Sequence, residues 1–131
     1  MQVVIFKLNN EQFAVQTDKV QTITDGMKIT SVPKAPDYIK GLINLRGNVI
    51  SLLDINLLLN IPKTEEEKDN VIIIEIEDEL VGICVDEVDE VLDIDENIIE
   101  KSTDENRKEY VQGIINFKDR IVTLIDIDKL F

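Results

Sequence analysis

Apolar residues alternate with polar ones through much of the chain, as where Ile74 and Ile76 are spaced by Glu75 and followed by Glu77. A period of two is the mark of a half-buried strand. Phe13 and Val15 form one returning strand, and Val81, Ile83 and Val85 form another. The polar pairs ahead of them, Asn9-Asn10 and Asp78-Glu79, read as hairpin turns. Further short strands are expected over 20–23 and 88–92. Ile43 and Leu45 lead to a turn at Arg46-Gly47-Asn48, where Gly47 supplies a positive φ, and a strand follows over 49–53. Asp54 and Asp126 then stand where a strand gives way to a short helical turn, each carboxylate placed to accept backbone N–H bonds.

The pattern occurs twice. GLINLRGNVISLLDINLLL, residues 41–59, aligns without a gap on GIINFKDRIVTLIDIDKLF, residues 113–131. Residues 4–23 align likewise on 72–91, matching Glu11 with Glu79, Asp18 with Asp86 and Val20 with Val88. The expected organisation is one domain over 1–131, with a first half at 1–62, a duplicated second half at 71–131, and a charged connector whose Glu65, Glu66 and Glu67 form a solvated linker. A half of about 60 residues buries only roughly 60% of its unfolded surface, too little to stand alone. The halves are therefore expected to share a core.

Hydrophobic residues make up 44% of the 131, but aromatics only 5% and tryptophan none, so that core must be built from Ile, Val and Leu. This favours strands. The formal charge of −13 repels phosphate and makes nucleic acid an unsuitable partner. It also disfavours anionic membranes, over the roughly 8 Å that physiological salt allows such a field. Val3 to Phe6 is too short an apolar run for a signal core or a membrane span, and the one cysteine, Cys84, has no intramolecular disulfide partner. A cytoplasmic protein with no membrane insertion is expected.

The chain carries no histidine for general-base or metal work. Asp54 and Asp126 are equivalent under the repeat, whereas a catalytic carboxylate pair needs two unlike environments. The acids Asp86, Glu87, Asp89, Glu90, Asp93, Asp95 and Glu96 lack the EF-hand pattern and its glycine, and Val88, Val91, Leu92 and Ile94 interleave them as in a strand with a solvated face. No catalytic, cofactor or metal residue is expected, with a small carboxylate hydrolase and an acidic calcium-binding protein as the alternatives. The residues favour a binding module instead. Between Gly26 and Leu53 the charges are Lys28, Lys34, Lys40 and Arg46 against Asp37, net +3 in an acidic chain. That stretch is expected to form a positive face that speeds encounter with an acidic partner. Arg46, on its turn, could form bidentate bonds to a partner carboxylate. Gly41 and Gly113 share one place in the repeat, which suggests that close packing or backbone geometry demands glycine there.

The string GLINLRGNVISLLDI, preceded by VPKAPDYIK and followed by VGICVDEVDEVL, resembles the CheW-like adaptor family of bacterial chemotaxis over nearly the whole chain. The resemblance implies a mostly β fold of two intertwined five-stranded SH3-like barrels related by a pseudo-twofold, with short helical turns. It implies a non-catalytic adaptor coupling chemoreceptor cytoplasmic tips to the regulatory domain of a CheA-type histidine autokinase. The alternative within this fold is a module normally fused to the kinase or to a receiver domain; the initiating Met1 and the want of a second domain favour the free adaptor. Family partner surfaces fall on Val20, Gly41, Arg46, Val88 and Val91. Thr22, where many relatives carry an acidic residue, and Lys40 of the basic stretch complete the candidate set. The apolar groove between the halves, near Val20, Val88 and Val91, is the expected receptor-helix site. The chain departs from the family in Thr22, in Ser51 where proline is usual, and in ending at Phe131 without a tail helix, as a minimal member would.

Overall fold

The structure is a computed structural model that describes residues 1–25, 27–62, 70–101 and 108–130. The expected linker at Glu65 to Glu67 lies outside the described residues. Eleven strands and one short helix follow in order: β1 (Gln2–Leu8), β2 (Glu11–Gln16), β3 (Val20–Asp25), β4 (Ile39–Leu45), β5 (Asn48–Leu53), α1 (Ile55–Leu59), β6 (Asn70–Ile76), β7 (Glu79–Val85), β8 (Glu87–Asp93), β9 (Ile99–Glu100), β10 (Val111–Asn116) and β11 (Ile121–Ile125). One sheet runs β8-β1-β2-β11-β10-β9 and the other β3-β6-β7-β5-β4.

Neither half of the sequence builds a sheet by itself. The β1–β2 hairpin of the first half joins β8 to β11 of the second, while the β6–β7 hairpin of the second joins β3 to β5 of the first. The exchange is sealed by two parallel seams, β2 on β11 and β5 on β7, amid otherwise antiparallel pairing. The sixth strand of the first sheet, β9, has only two residues, and its counterpart in the other half is a single bridge from Thr30 to Leu42. This is the expected mostly β, intertwined double barrel.

Three aliphatic clusters fill it. Val3, Ile5, Ala14, Ile115, Val122 and Leu124 fill one barrel, and Ile43, Ile50, Leu52, Val71, Ile73 and Cys84 the other. Between them lies the largest, with Val4, Phe6, Leu8, Phe13 and Val15 from one end of the chain and Ile72, Ile74, Ile83 and Val85 from the second half. The Phe6 and Phe13 rings stack there with centroids 6.0 Å apart. β1 and β6 thus bury both faces, odd residues into a barrel and even residues into the shared centre. Their sequences read VVIF and VIII without alternation for that reason.

The Asn9-Asn10 turn has positive φ at both residues, 47° and 70°, as a two-residue hairpin turn requires. The second turn corrects the sequence reading by one residue. Positive φ falls on Glu77 (50°) and Asp78 (67°), and Glu79 is already the first residue of β7. Asp54 caps α1 by accepting from Leu57 N–H at 3.2 Å, and Asp126 accepts from Asp128 N–H at 3.2 Å ahead of a helical turn at Ile127–Lys129. The repeat extends to the backbone: Asp54 N–H bonds to Tyr38 O and Asp126 N–H to Tyr110 O, both at 2.8 Å.

Gly41 and Gly113 are also equivalent in space. A Cβ on Gly41 would lie 2.6 Å from both Ile29 Cγ2 and Thr30 O, and one on Gly113 would lie 2.5 Å from Ile99 Cγ2 and 3.0 Å from Glu100 O. Each glycine lets the short crossing segment press against the barrel wall. Its role is steric.

Candidate partner-binding surfaces

The residues expected at a groove are positioned by two β-bulges. β8 pairs with β1 so that Val88 faces Phe6, Glu90 faces Ile5 and Val91 faces Val4, which leaves Asp89 unpaired. One extra residue in a strand reverses the alternation beyond it. Val88 and Val91 therefore share the face of Phe6 and Val4, which line the central cluster. β3 does the same against β6: Val20 faces Ile74, Thr22 faces Ile73 and Ile23 faces Ile72, with Gln21 bulged.

Four aliphatic side chains thus stand on the central side of the edge strands, as two pseudo-symmetric pairs. Val20 and Val88 are half-buried and pack on the central cluster. Ile23 and Val91 are exposed, at 37% and 47% of their surface. Sequence reasoning missed Ile23, although the aligned segments VQTI and VDEV place it opposite Val91. Thr22 stands elsewhere: opposite Ile73, it is half-buried on the barrel side of β3, away from this face.

The other candidates lie on the β4–β5 hairpin. Ile39 pairs with Leu53 and Gly41 with Leu52, so Lys40 is itself a bulge residue. Its amine reaches across to Cys84 Sγ, 3.9 Å away. In the second half the bulge residue is Gln112, which accepts from Gln16 Nε2 at 3.2 Å in the corresponding place. Gly41 is buried, so it shapes this surface through Ile29 and Thr30 rather than by meeting a partner.

Arg46 is exposed at the tip, with φ of 53°, followed by Gly47 at 86°. Asn44 Oδ1 holds the turn by accepting from Gly47 N–H at 2.9 Å. Beside the turn lies a concavity of about 340 Å³ lined by Met27, Lys28, Thr30, Leu42, Asn44 and Val49, and Val49 is 66% exposed. Among the described residues, Lys28, Lys34, Lys40 and Arg46 have no ion-pair partner, whereas Lys7 pairs with Glu87 at 3.7 Å and Lys19 with Asp128 at 3.3 Å. The basic stretch thus leaves its charge available around an apolar hollow, the composition of a polar rim about an interface core.

The acids of β8 are engaged with neighbours. Asp86 Oδ2 accepts from Asn9 N–H at 2.7 Å, Arg120 pairs with both Asp89 and Glu90, and Asp95 accepts from Asn97 N–H at 2.9 Å. The Arg120 guanidinium also lies over the Phe117 ring, 5.3 Å from its centroid. Asp54 and Asp126 each serve a separate helical turn, and Asp54 is buried.

A family model described as the CheW-like domain matches residues 2–131. The chain belongs to the CheW-like domain family. Among curated relatives, the chemotaxis protein CheW of Bacillus subtilis is 32% identical over 127 residues, covering 94% of this chain and 81% of that protein. The chemotaxis protein CheW of Klebsiella aerogenes is 32% identical over 130 residues, covering 96% and 78%. The crystal structure of the scaffolding protein TtCheW from Thermoanaerobacter tengcongensis superposes with a TM-score of 0.88 at 32% identity, covering 99% of this chain and 91% of that one. The role carried by this CheW-like chain is that of a chemotaxis adaptor, and the hydrolase, calcium-binding and fused-module alternatives find no support in these likenesses. Among the described residues no helix is long and apolar enough to cross a membrane.

Proposed function

We propose that the protein works in the cytoplasm as a non-catalytic bridge between chemoreceptor tips and the regulatory domain of a CheA-type histidine autokinase. The observation that carries this reading is the pair of outward surfaces hung on one shared core: the aliphatic face of Val20, Ile23, Val88 and Val91, and the basic hairpin of Lys28, Lys40 and Arg46 around exposed Val49. The first is suited to the apolar face of a receptor helix, which presents side chains at i, i+3 and i+4. The second is suited to an acidic protein surface.

No bond is made or broken by the adaptor. Receptor states that differ in how they hold it would change kinase activity through a coupling free energy of about 1–3 kcal/mol. Each contact need only be micromolar, about −8 kcal/mol, because an array multiplies weak contacts. Co-sedimentation of a receptor signalling fragment with the kinase, with and without this protein, tests the bridge. Kinase should pellet with receptor only when the adaptor is present, and equal pelleting in its absence would refute the role.

A further inference from the structure

The parallel seam between β2 and β11 closes over Phe13–Thr123 and Ala14–Leu124 and stops there. Gln12 and Val122, and Glu11 and Ile121, are next in register, yet they do not pair. The strands splay apart and leave the largest concavity on the described surface, about 620 Å³. Its lining is apolar at Phe13, Leu59, Ile61 and Val111.

Two polar atoms of this lining are buried without a hydrogen-bond partner: the amide oxygen of Gln12 and Nε of Arg120. One accepts and the other donates. A buried group left unpaired costs about 1–3 kcal/mol, so a molecule that satisfied both would recover that penalty on binding. A peptide group offers the complement, an N–H and a C=O on adjoining atoms. The guanidinium charge is already matched by Asp89 and Glu90, and Glu11 lies on the lining, so the site holds no spare positive charge for an anion.

The second half has the equivalent gap, where β5 and β7 pair from Ser51–Val81 onward and splay before it, leaving about 410 Å³. There Leu80 replaces Gln12 and Asn48 replaces Arg120. The polar pair therefore marks one gap and not its twin.

We propose that the gap between β2 and β11 receives an extended, uncharged peptide segment of a partner protein, Gln12 Oε1 accepting from a peptide N–H and Arg120 Nε donating to a peptide carbonyl. Splayed strand edges with spare hydrogen-bonding capacity are suited to an added backbone segment, and the apolar lining is suited to one aliphatic side chain of that segment. The site is separate from the aliphatic face and the basic hairpin, so it stands whether or not those bind receptor and kinase.

The test is a titration of the isotope-labelled full chain with N-acetyl-leucine N′-methylamide, followed by NMR, with N-acetyl-aspartate N′-methylamide alongside. The leucine compound should give saturable shifts confined to Gln12, Phe13, Tyr110 and Ile121 to Thr123, and the aspartate compound should bind at least tenfold more weakly. Gln12→Leu, which installs the residue found at the twin position, should keep the fold and weaken the leucine compound at least tenfold. Non-saturable or scattered shifts, equal binding of the aspartate compound, or full binding by Gln12→Leu would overturn the proposal.

Discussion

Val88 and Val91 stand on the same face of β8, three residues apart, because Asp89 bulges out of the ladder with β1 between Val88 and Glu90. Without that bulge a three-residue spacing would send them to opposite faces. The face they share with Val20 and Ile23 is the surface proposed for a receptor helix, and its exposed members separate binding from folding. Ile23→Glu and Val91→Glu should each abolish pull-down by a receptor fragment while changing stability by about 0.5 kcal/mol or less, as exposed substitutions do. Val88→Glu should lose binding and also unfold at lower denaturant, since Val88 packs on the central cluster. Urea titrations beside the pull-downs check both parts.

The paired glycines give an ordered prediction. Gly41→Ala should destabilise by about 3 kcal/mol, since the new methyl meets a backbone carbonyl at 2.6 Å that cannot easily retreat. Gly113→Ala should cost less, because the carbonyl there is 3.0 Å away and the closer atom is a side-chain methyl. Gly47→Ala meets nothing within 4 Å and should cost only the about 1–2 kcal/mol of a left-handed alanine. Denaturant midpoints of the three variants test the ranking.

Reversing charge on the basic hairpin should act on association rather than on the fold. Arg46→Glu and Lys40→Glu should slow binding of the kinase regulatory domain and flatten its dependence on ionic strength, because exposed charges steer encounter over about a Debye length. Unchanged association rates across salt concentrations would contradict the assignment of this surface.

At alkaline pH, Tyr110 supplies a test of its burial beside the second helical turn. Desolvation raises its phenol above the ordinary value of 10.0. As pH rises from about 10 toward the folded value, the unfolded chain loses this proton first, so stability falls through that window and is unaffected below it. Tyr110→Phe should remove this part of the alkaline loss. Identical slopes of stability against pH above 10 in the two proteins would show that the phenol ionises without cost.

The duplication was plain in the sequence because it rests on local strings, and so were the Asn9-Asn10 and Arg46-Gly47 turns and both aspartate caps. The turn at Glu77-Asp78 was displaced by one because all three residues from Glu77 to Glu79 are polar and composition alone cannot choose between them. The repeat itself, which sets Asn9 against Glu77, contains the right register. The exchange of hairpins between halves was not legible as pairing, since β1 finds β8 more than eighty positions away and nothing local in either strand records it. Nor were the bulges at Gln21, Lys40, Asp89 and Gln112, none of which carries a glycine or proline to mark it. Ile23 was overlooked and Thr22 grouped with the groove for this reason: strict alternation from Val20 puts Thr22 on its face, and the bulge at Gln21 puts Ile23 there instead.

The most direct measurement is kinase activity in a reconstituted mixture of receptor fragment, histidine kinase and adaptor, comparing the wild-type chain with the double variant Ile23→Glu/Val91→Glu. The account predicts that the wild-type protein places the kinase under receptor control and that the folded double variant leaves it at its receptor-free rate. Receptor control retained in full by the double variant would contradict it.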